Sequence, residues 1–354
     1  MSIKIAIQPD YFDFNDGPQS FSNYWIKFLN EQSDFEPHIV NLYKDNPTES
    51  LAGCSAFMWR RMQHHAKLAR RIIPVLEASY NIPCFPSTTY NSLTLCKIEQ
   101  YFRLSTAKLP IPNTWAFFKE EDALEYLEQA HFPLVVKLPM SRGSSGVALL
   151  KNLNEAQACT RQLFGNGVRG LWQALGDPSR FWLRRLRESL AMAWGENICQ
   201  ERHVNEILFQ EFLPNNDFDT RVTVIGRYAT AFRRKNREGD FRASGGGLME
   251  FEPNAIDPNL IALAFKVTYN LNAPFLAIDF LYKDKHPMIC EVNFAYSASV
   301  VRRCPGFWFI KNESEFESFN WHNGGINPEL LTLQEFLRIY NLNNRISHHL
   351  HYPN

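Results

Sequence analysis

Two apolar runs, Phe275-Leu276-Ala277-Ile278-Asp279-Phe280-Leu281 and Met288-Ile289-Cys290-Glu291-Val292-Asn293, each carry a carboxylate where a buried strand ordinarily has none. The link between them, Lys283 to Pro287, reads as a turn, so the two runs predict an antiparallel hairpin. With that hairpin centred on Lys285, Asp279 lies opposite Glu291, and Asn293, two residues on, shares their face. Directly opposed carboxylates repel unless one is protonated, a nearby arginine holds each, or a cation lies between them. A hard cation on oxygen ligands, Mg²⁺ with phosphate completing its shell, would make the hairpin a functional site. Pairing with arginines is the alternative.

The rest of the chain reads as alternating strands and helices. Ile3, Ile5 and Ile7 alternate as a strand, followed by a helical pattern through Phe21, Trp25, Phe28 and Leu29. Strand-like runs at 38–42 and 56–59, a helix over about 66–79 and the run 82–86 complete about 85 residues of β/α alternation, which predicts a small parallel sheet. No G-x-G-x-x-G turn occurs there. A boundary falls near 86–92, followed by a helix over 92–104, strands at 114–118, 134–138 and 147–150, and helices over 120–130 and 154–164. Residues 165–206 set Trp172, Trp182 and Trp194 among Arg180, Arg184, Arg185 and Arg187. Trp182, Leu186 and Leu190 make a stripe of an amphipathic helix docked on the body, with a basic surface for an anionic substrate or membrane as the alternative. Strand patterns dominate from 207 to 294.

Lys137 lies in the apolar strand 134–138, where a lysine must snorkel or meet an anion, unless the strand is an edge and the lysine stands in water. The loop Ser141-Arg142-Gly143-Ser144-Ser145-Gly146 follows it, and glycines let backbone N–H groups converge on a phosphate. No Gly-Lys-Ser/Thr follows, so it is not a Walker A loop. The stretch 231–247 packs five cations and a triple glycine behind an apolar strand. Arginine forks suit carboxylate and phosphate oxygens, although such runs are more often solvated hairpin tips.

Bulk properties narrow the partners. Lys plus Arg and Asp plus Glu both number 37, so no net charge draws the chain to nucleic acid or an anionic membrane. With 354 residues, 45% of them hydrophobic, and 28 phenylalanines, two or three packed units are expected. The seven scattered cysteines lack C-x-x-C spacing and suit reduced thiols, hence a cytoplasmic protein. Neither a signal peptide nor a membrane span is expected from the apolar runs.

Taken in order, Lys97 in a helix, Lys137 before the glycine loop, Gln210-Glu211-Phe212-Leu213, Asp219-Thr220-Arg221-Val222, Arg234 with Gly239-Asp240-Phe241-Arg242, Asp279 and Glu291-Val292-Asn293 resemble the ATP-grasp superfamily, in particular its RimK-type glutamate-ligase branch, over about residues 90–295. More loosely, Phe57-Met58-Trp59-Arg60 and Cys304-Pro305-Gly306-Phe307-Trp308 are similar to uncharacterised ATP-grasp proteins of bacterial cell-surface polysaccharide loci. The resemblance implies an α/β chain, α+β in its catalytic part. In it two sheet-containing subdomains grip ATP behind a small parallel-sheet domain: 1–88 as that domain, 89–206 and 207–325 as the two subdomains, and 326–354 as a tail.

By matched position, Lys97 and Lys137 would contact the ATP phosphates, Ser141, Gly143, Ser144, Ser145 and Gly146 would cover them, and Gln210, Glu211, Phe212 and Leu213 would line the adenine pocket. Asp219, or Asp217 in its place, would lie near the ribose. Asp279, Glu291 and Asn293 would hold two Mg²⁺ ions, or Mn²⁺ in their stead. Arg234 would face the transferring phosphate, and Arg221 and Arg242 the substrate carboxylate or acyl phosphate. The implied reaction joins a carboxylate, free or carried on a glycan or peptide, to an amine through an acyl phosphate, by an enzyme that could be oligomeric. A non-catalytic ATP-binding scaffold and a phosphotransferase are the rival readings. Two departures mark the substrate end. Phe294-Ala295-Tyr296-Ser297-Ala298 replaces the family's small residue, Ser, Pro and Gly, and Arg242-Ala243-Ser244-Gly245-Gly246-Gly247 shortens its Arg-Asn…His-Arg-Gly-Gly stretch. The resemblance therefore does not carry glutamate over as the substrate.

Overall fold

The alternating isoleucines at the start form strand β1 (Ile3–Ile7), flanked in parallel by β2 (Phe35–Ile39) and β3 (Ala56–Met58), with β4 (Cys84–Phe85) parallel to β3. Helix α1 (Phe21–Asn30), whose N-cap Ser20 side chain accepts from the Asn23 N–H, follows β1. Then come α2 (Pro47–Ser50) and a π-turn, Leu68–Ile72, that runs into α3 (Ile73–Ala78). The computed structural model describes residues 2–10, 20–60, 65, 68–141, 146–175, 202–243, 248–312 and 314–341. The amphipathic stripe expected at Trp182, Leu186 and Leu190 lies outside them.

The helix expected over 92–104 is two helices, α4 (Thr88–Leu95) and α5 (Lys97–Thr106), broken at Cys96, which is extended with φ −139°. The break has a use: the first N–H of α5, on Lys97, donates to the Pro139 carbonyl at 2.8 Å and docks the helix start on the chain leaving the second sheet. That sheet contains β5 (Thr114–Phe117), β6 (Leu134–Lys137), β7 (Val147–Leu150) and β8 (Ile207–Glu211), antiparallel in the order β5-β8-β6-β7. Helices α6 (Glu120–Glu128) and α7 (Leu153–Phe164) cover it, with α8 (Leu171–Ala174) beyond. Leu127, Leu134, Val136, Leu163 and Phe209 form a core of their own there.

The third sheet is built from β9 (Phe218–Ile225), β10 (Tyr228–Lys235), β11 (Met249–Glu250), β12 (Phe275–Lys283), β13 (His286–Asn293), β14 (Gly306–Ile310) and β15 (Phe319–Asn323). Its order is β13-β12-β9-β10-β14-β15, with β11 on β10. Helix α9 (Pro258–Asn270) buries Leu260, Ile261, Ala264 and Phe265, and a short α10 (Ala298–Val301) follows β13. The stretch expected as a tail from 326 holds α11 (Pro328–Ile339), which buries Leu331, Leu333, Phe336 and Leu337. This helix ties the first sheet to the third. Trp25 Nε1 donates to the Glu329 carbonyl at 3.1 Å, and Phe85 packs edge-on against both Phe275 and Phe336.

The β12–β13 hairpin turns on two residues, Asp284 and Lys285, with φ of +49° and +66° between the paired Lys283 and His286. Both angles suit a tight hairpin turn that matches the strand twist. That turn is centred half a residue before Lys285, which by itself would set Asp279 against Cys290. A bulge corrects it: Phe280 pairs with Ile289, Asp279 with Glu291, and Cys290 is the extra residue. The two carboxylates are therefore opposed as the sequence suggests, by a route that the sequence does not reveal.

Candidate active site

The bulge and the helix break meet in one cleft between the second and third sheets. Cys290, left out of the ladder, offers its carbonyl to Lys137 Nζ at 3.0 Å, so the lysine at the end of β6 reaches across to β13. At the first position of α5, Lys97 donates to the Ser141 carbonyl at 2.9 Å and its hydroxyl at 3.2 Å, with Glu291 Oε1 at 3.8 Å. Lys97, Lys137, Thr114, Leu208, Gln210 and Ile289 are among the residues lining a small cavity of about 20 Å³. Two ammonium groups and an apolar wall thus share one space.

A row of charge crosses the adjoining sheet. On β9, Asp219 and Arg221 point to one face; Arg234 on β10 pairs opposite Asp219, Asp279 on β12 opposite Arg221, and Glu291 on β13 opposite Asp279. Arg221 binds Asp279 through both oxygens, at 2.6 and 2.7 Å. Arg234 binds Asp219 through both of its oxygens, at 2.6 and 2.5 Å, and places Nη2 2.9 Å from Asp279 Oδ2. Burial raises the Asp279 pKa, but Arg221 and Arg234 outweigh it and hold the carboxyl below its usual range. Burial and the neighbouring Asp279 push Asp219 up to about 6, against the pull of Arg234. Arg234 is itself raised by the two carboxylates, which overcome its desolvation.

Arginine and lysine pairing therefore answers the repulsion between the opposed carboxylates, and their opposition alone does not demand a cation. Whether the residues could still hold one depends on the acceptors left over. A carboxylate has about four lone-pair sites. Oδ1 of Asp279 takes only Arg221 Nε, whereas Oδ2 takes both guanidiniums, which leaves room on Oδ1. Glu291 is 33% exposed, with Lys97 at 3.8 Å. Asn293 Oδ1 accepts the Ala295 N–H at 2.7 Å and keeps a second lone pair. The donor set fits a hard cation bound through few protein oxygens, with a ligand supplying the rest. No group of three His, Cys, Asp or Glu side chains suited to a metal occurs among the described residues.

The other expected residues are distributed around this centre. Gln210 is buried and donates to Thr114 Oγ1 at 3.0 Å; Glu211 pairs with Lys283 at 2.5 Å; Phe212 stands edge-on to Phe241; Leu213 is buried. Asp219 is engaged by Arg234 on both oxygens rather than open to a ribose, and Asp217 is exposed. Arg242 is held by Asp240 and donates to the Val147 carbonyl at 3.1 Å, beside the glycine loop and on a different contact from the Arg221–Asp279 pair. Ser141 and Gly146 flank that loop; Gly143, Ser144 and Ser145 lie outside the described residues.

Gln100 is the residue that sequence reasoning missed. One turn along α5 from Lys97, its amide accepts the Val292 N–H at 3.1 Å and donates to the Val292 carbonyl at 2.8 Å and the Leu93 carbonyl at 2.8 Å. It fixes the backbone between Glu291 and Asn293. A glutamine on the buried side of a predicted helix, three residues from the lysine, was the available signal.

A RimK-like ATP-grasp domain model matches residues 195–305, the part of the chain that carries the arginine–carboxylate row. Among solved structures, a RimK-domain ATP-grasp protein from Sphaerobacter thermophilus DSM 20745 is 18% identical, with 84% of this chain and 93% of that one covered and a TM-score of 0.51. This chain has the ATP-grasp fold. A D-cycloserine synthetase is similar over 95% of this chain and 99% of its own at 13% identity and TM-score 0.55. The D-alanine–D-alanine ligase of Bacillus anthracis is similar at 13% identity, 82% and 86% coverage and TM-score 0.51. At such identities the likeness speaks for the fold alone. No curated protein matches the chain. Among the described residues, no helix is long and apolar enough to cross a membrane.

Proposed function

We propose that the protein is an ATP-dependent ligase that activates a carboxylate as an acyl phosphate and transfers the acyl group to an amine. The convergence of Lys97 and Lys137 on the cleft beside the Asp279–Glu291–Asn293 face supports this reading most directly. Lys97 bonds the Ser141 carbonyl and hydroxyl and Lys137 the Cys290 carbonyl, and phosphate oxygens would offer both ammonium groups charge-assisted bonds. Gln210, Phe212 and Leu213 would border the base, and Glu291, Asn293 and Oδ1 of Asp279 would hold Mg²⁺. When bound, that ion would offset charge on the phosphates.

The substrate carboxylate attacks the γ-phosphorus in line, the bond to the β-phosphate oxygen breaks, and ADP leaves. The amine then adds to the acyl carbon, the tetrahedral oxyanion collapses, inorganic phosphate departs and the nitrogen loses a proton. Arg234 faces the charge that develops on the transferring group, and Arg221 and Arg242 hold the acyl end. The Cys290 thiol is raised by burial and stays protonated, so no covalent enzyme intermediate is expected.

Mg²⁺-ATP should raise the melting temperature, since ligand at 100 times Kd contributes about 2.7 kcal/mol. Hydroxylamine trapping during turnover with a panel of carboxylates then separates the readings. A ligase gives ADP and a hydroxamate, a phosphotransferase ADP alone, and a scaffold neither. Absence of any stabilisation by purine nucleotides, with or without metal, would sink the reading at its first step.

A further inference from the structure

Strand β8 is paired on both sides, with β5 and β6, so at Gln210 the side chain rather than the backbone is available to a ligand. Gln210 stands directly opposite Thr114 of β5, and as cross-strand neighbours the two share one face. Both line the cavity that holds Lys97 and Lys137. Which end of the Gln210 amide turns toward Thr114 decides what the residue can offer there.

Pro112 sets that direction. Its carbonyl can only accept, and it takes the Thr114 hydroxyl proton at 2.7 Å. Thr114 Oγ1 then has only lone pairs for its neighbour, so Gln210 gives it the NH₂, at 3.0 Å. Reversing the amide would set two oxygens against each other or take the hydroxyl proton from Pro112. Both Thr114 and Gln210 are only 7% exposed, where an unmade bond is expensive. The amide oxygen Oε1 is thus left facing away from Thr114 as an acceptor, and among the described residues nothing donates to it.

Building on the ligase reading, in which Gln210 borders the base, we infer that Thr114 is a positioning residue for base selection: it fixes the Gln210 amide so that a carbonyl oxygen, and not an NH₂, meets the edge of the purine. Adenine offers an amino group on that edge, whereas guanine, like hypoxanthine, carries a carbonyl oxygen. The cleft therefore takes adenine nucleotides and turns away the oxo purines, for which two acceptors would face each other. Loss of that hydrogen bond, with a buried acceptor left unpaired, corresponds to about tenfold or more in affinity. A glutamine by itself makes no such choice, because the two ends of its amide are alike in shape. The selectivity comes from Thr114 and the Pro112 carbonyl behind it.

The test is thermal shift of the whole protein with Mg²⁺ and ATP, GTP or ITP, since inosine differs from adenosine only on the edge in question. Wild type should bind ATP at least about tenfold more tightly than ITP or GTP. In T114V the hydroxyl is gone and the Gln210 amide is free to turn its NH₂ toward an oxo group, so the affinities for ATP and ITP should come close to each other. T114S keeps the hydroxyl and should restore the wild-type preference. A fold merely loosened at β5 would weaken both nucleotides together, so the ratio is the readout. Should T114V fail to fold, Q210M, which removes the amide and keeps the length of the side chain, should lose the preference instead. The inference is overturned if ITP stabilises the wild type as well as ATP does, or if the folded variant keeps the wild-type ratio. Equal stabilisation by all the purine triphosphates would leave the ligase reading standing without this selectivity, and no stabilisation by any of them would remove both.

Discussion

Replacing Arg234 with Met tests the charge row at its centre. The guanidinium is 8% exposed, supplies both hydrogen bonds of Asp219 and gives Asp279 one of its three. Methionine fills much of the volume but leaves Asp219 buried without a cation. Removal of one member of a buried pair costs about 3–5 kcal/mol, so R234M should lose that much stability at pH 7.5. The loss should depend on pH with a definite sign. Asp219 is pushed up to about 6 in the wild type, and without Arg234 its folded pKa rises further. Between the two folded pKa values the folded variant holds up to one proton more than the folded wild type, while the unfolded chains are alike. The stability difference therefore shrinks as pH falls, by at most about 1.4 kcal/mol per unit between those values. Urea unfolding of both proteins at pH 7.5 and at pH 6 measures it. The double variant D219N/R234M, which removes charge from both sides, should recover most of the loss. A penalty under about 1 kcal/mol, or one that does not change with pH, would show that Asp219 and Arg234 are not a desolvated pair and refute the argument.

Three further perturbations separate structure from chemistry. Glu291→Gln, at a third-exposed residue, should keep the melting temperature within a few degrees and cut turnover by about 10²–10³, the scale for losing one electrostatic stabiliser. Its Mg²⁺ response, followed by thermal shift, should weaken as well. Asn216→Ala removes a side chain that donates to the Leu213, Pro214 and Tyr282 carbonyls and accepts the Tyr282 N–H at 2.8 Å; urea unfolding should show a loss of about 2 kcal/mol, with nucleotide affinity lowered because the β8–β9 link moves. Gln100→Leu leaves both backbone groups of Val292 unpaired in a buried site and should cost about 3 kcal/mol, with exchange of the Val292 amide speeded as the direct readout.

What the sequence made legible follows from how local each signal is. The alternation of Ile3, Ile5 and Ile7 and the paired runs around Asp279 and Glu291 are properties of short windows, and both appear as strands. The opposition of the two carboxylates was also readable, although the turn is shorter than expected and the bulge at Cys290 makes up the difference. The partners of Asp279 were not. Arg221 sits opposite it only because β9 lies between β10 and β12, and that neighbourhood comes from strand order, which no window of residues contains. Helix α11 was missed for a related reason: its apolar residues pack against partners far along the chain, Phe85 among them, some 250 positions before Phe336. Asp219 was matched to a ribose contact by position in a motif, whereas its actual bonds are to a residue across the hairpin.

The same contacts explain how the cleft could admit a nucleotide without losing its shape. β13 is gripped from the second sheet's side at three places: Ile289 N–H donates to the Pro110 carbonyl at 2.7 Å, Lys137 takes the Cys290 carbonyl, and Gln100 takes both backbone groups of Val292. These grips differ in kind. The Pro110 and Gln100 contacts are neutral and buried, with nothing anionic to gain elsewhere. Lys137 places its charge on the uncharged Cys290 carbonyl, and Lys97 bonds the Ser141 carbonyl and lies 3.8 Å from Glu291. An incoming phosphate would offer both ammonium groups charge-assisted bonds, roughly twice as strong as neutral ones. Phosphate would thus draw off the two lysines and leave Pro110 and Gln100 holding the strand. The carboxylate row on β13 and β12 then keeps its register while the electrostatic contacts of the cleft are exchanged.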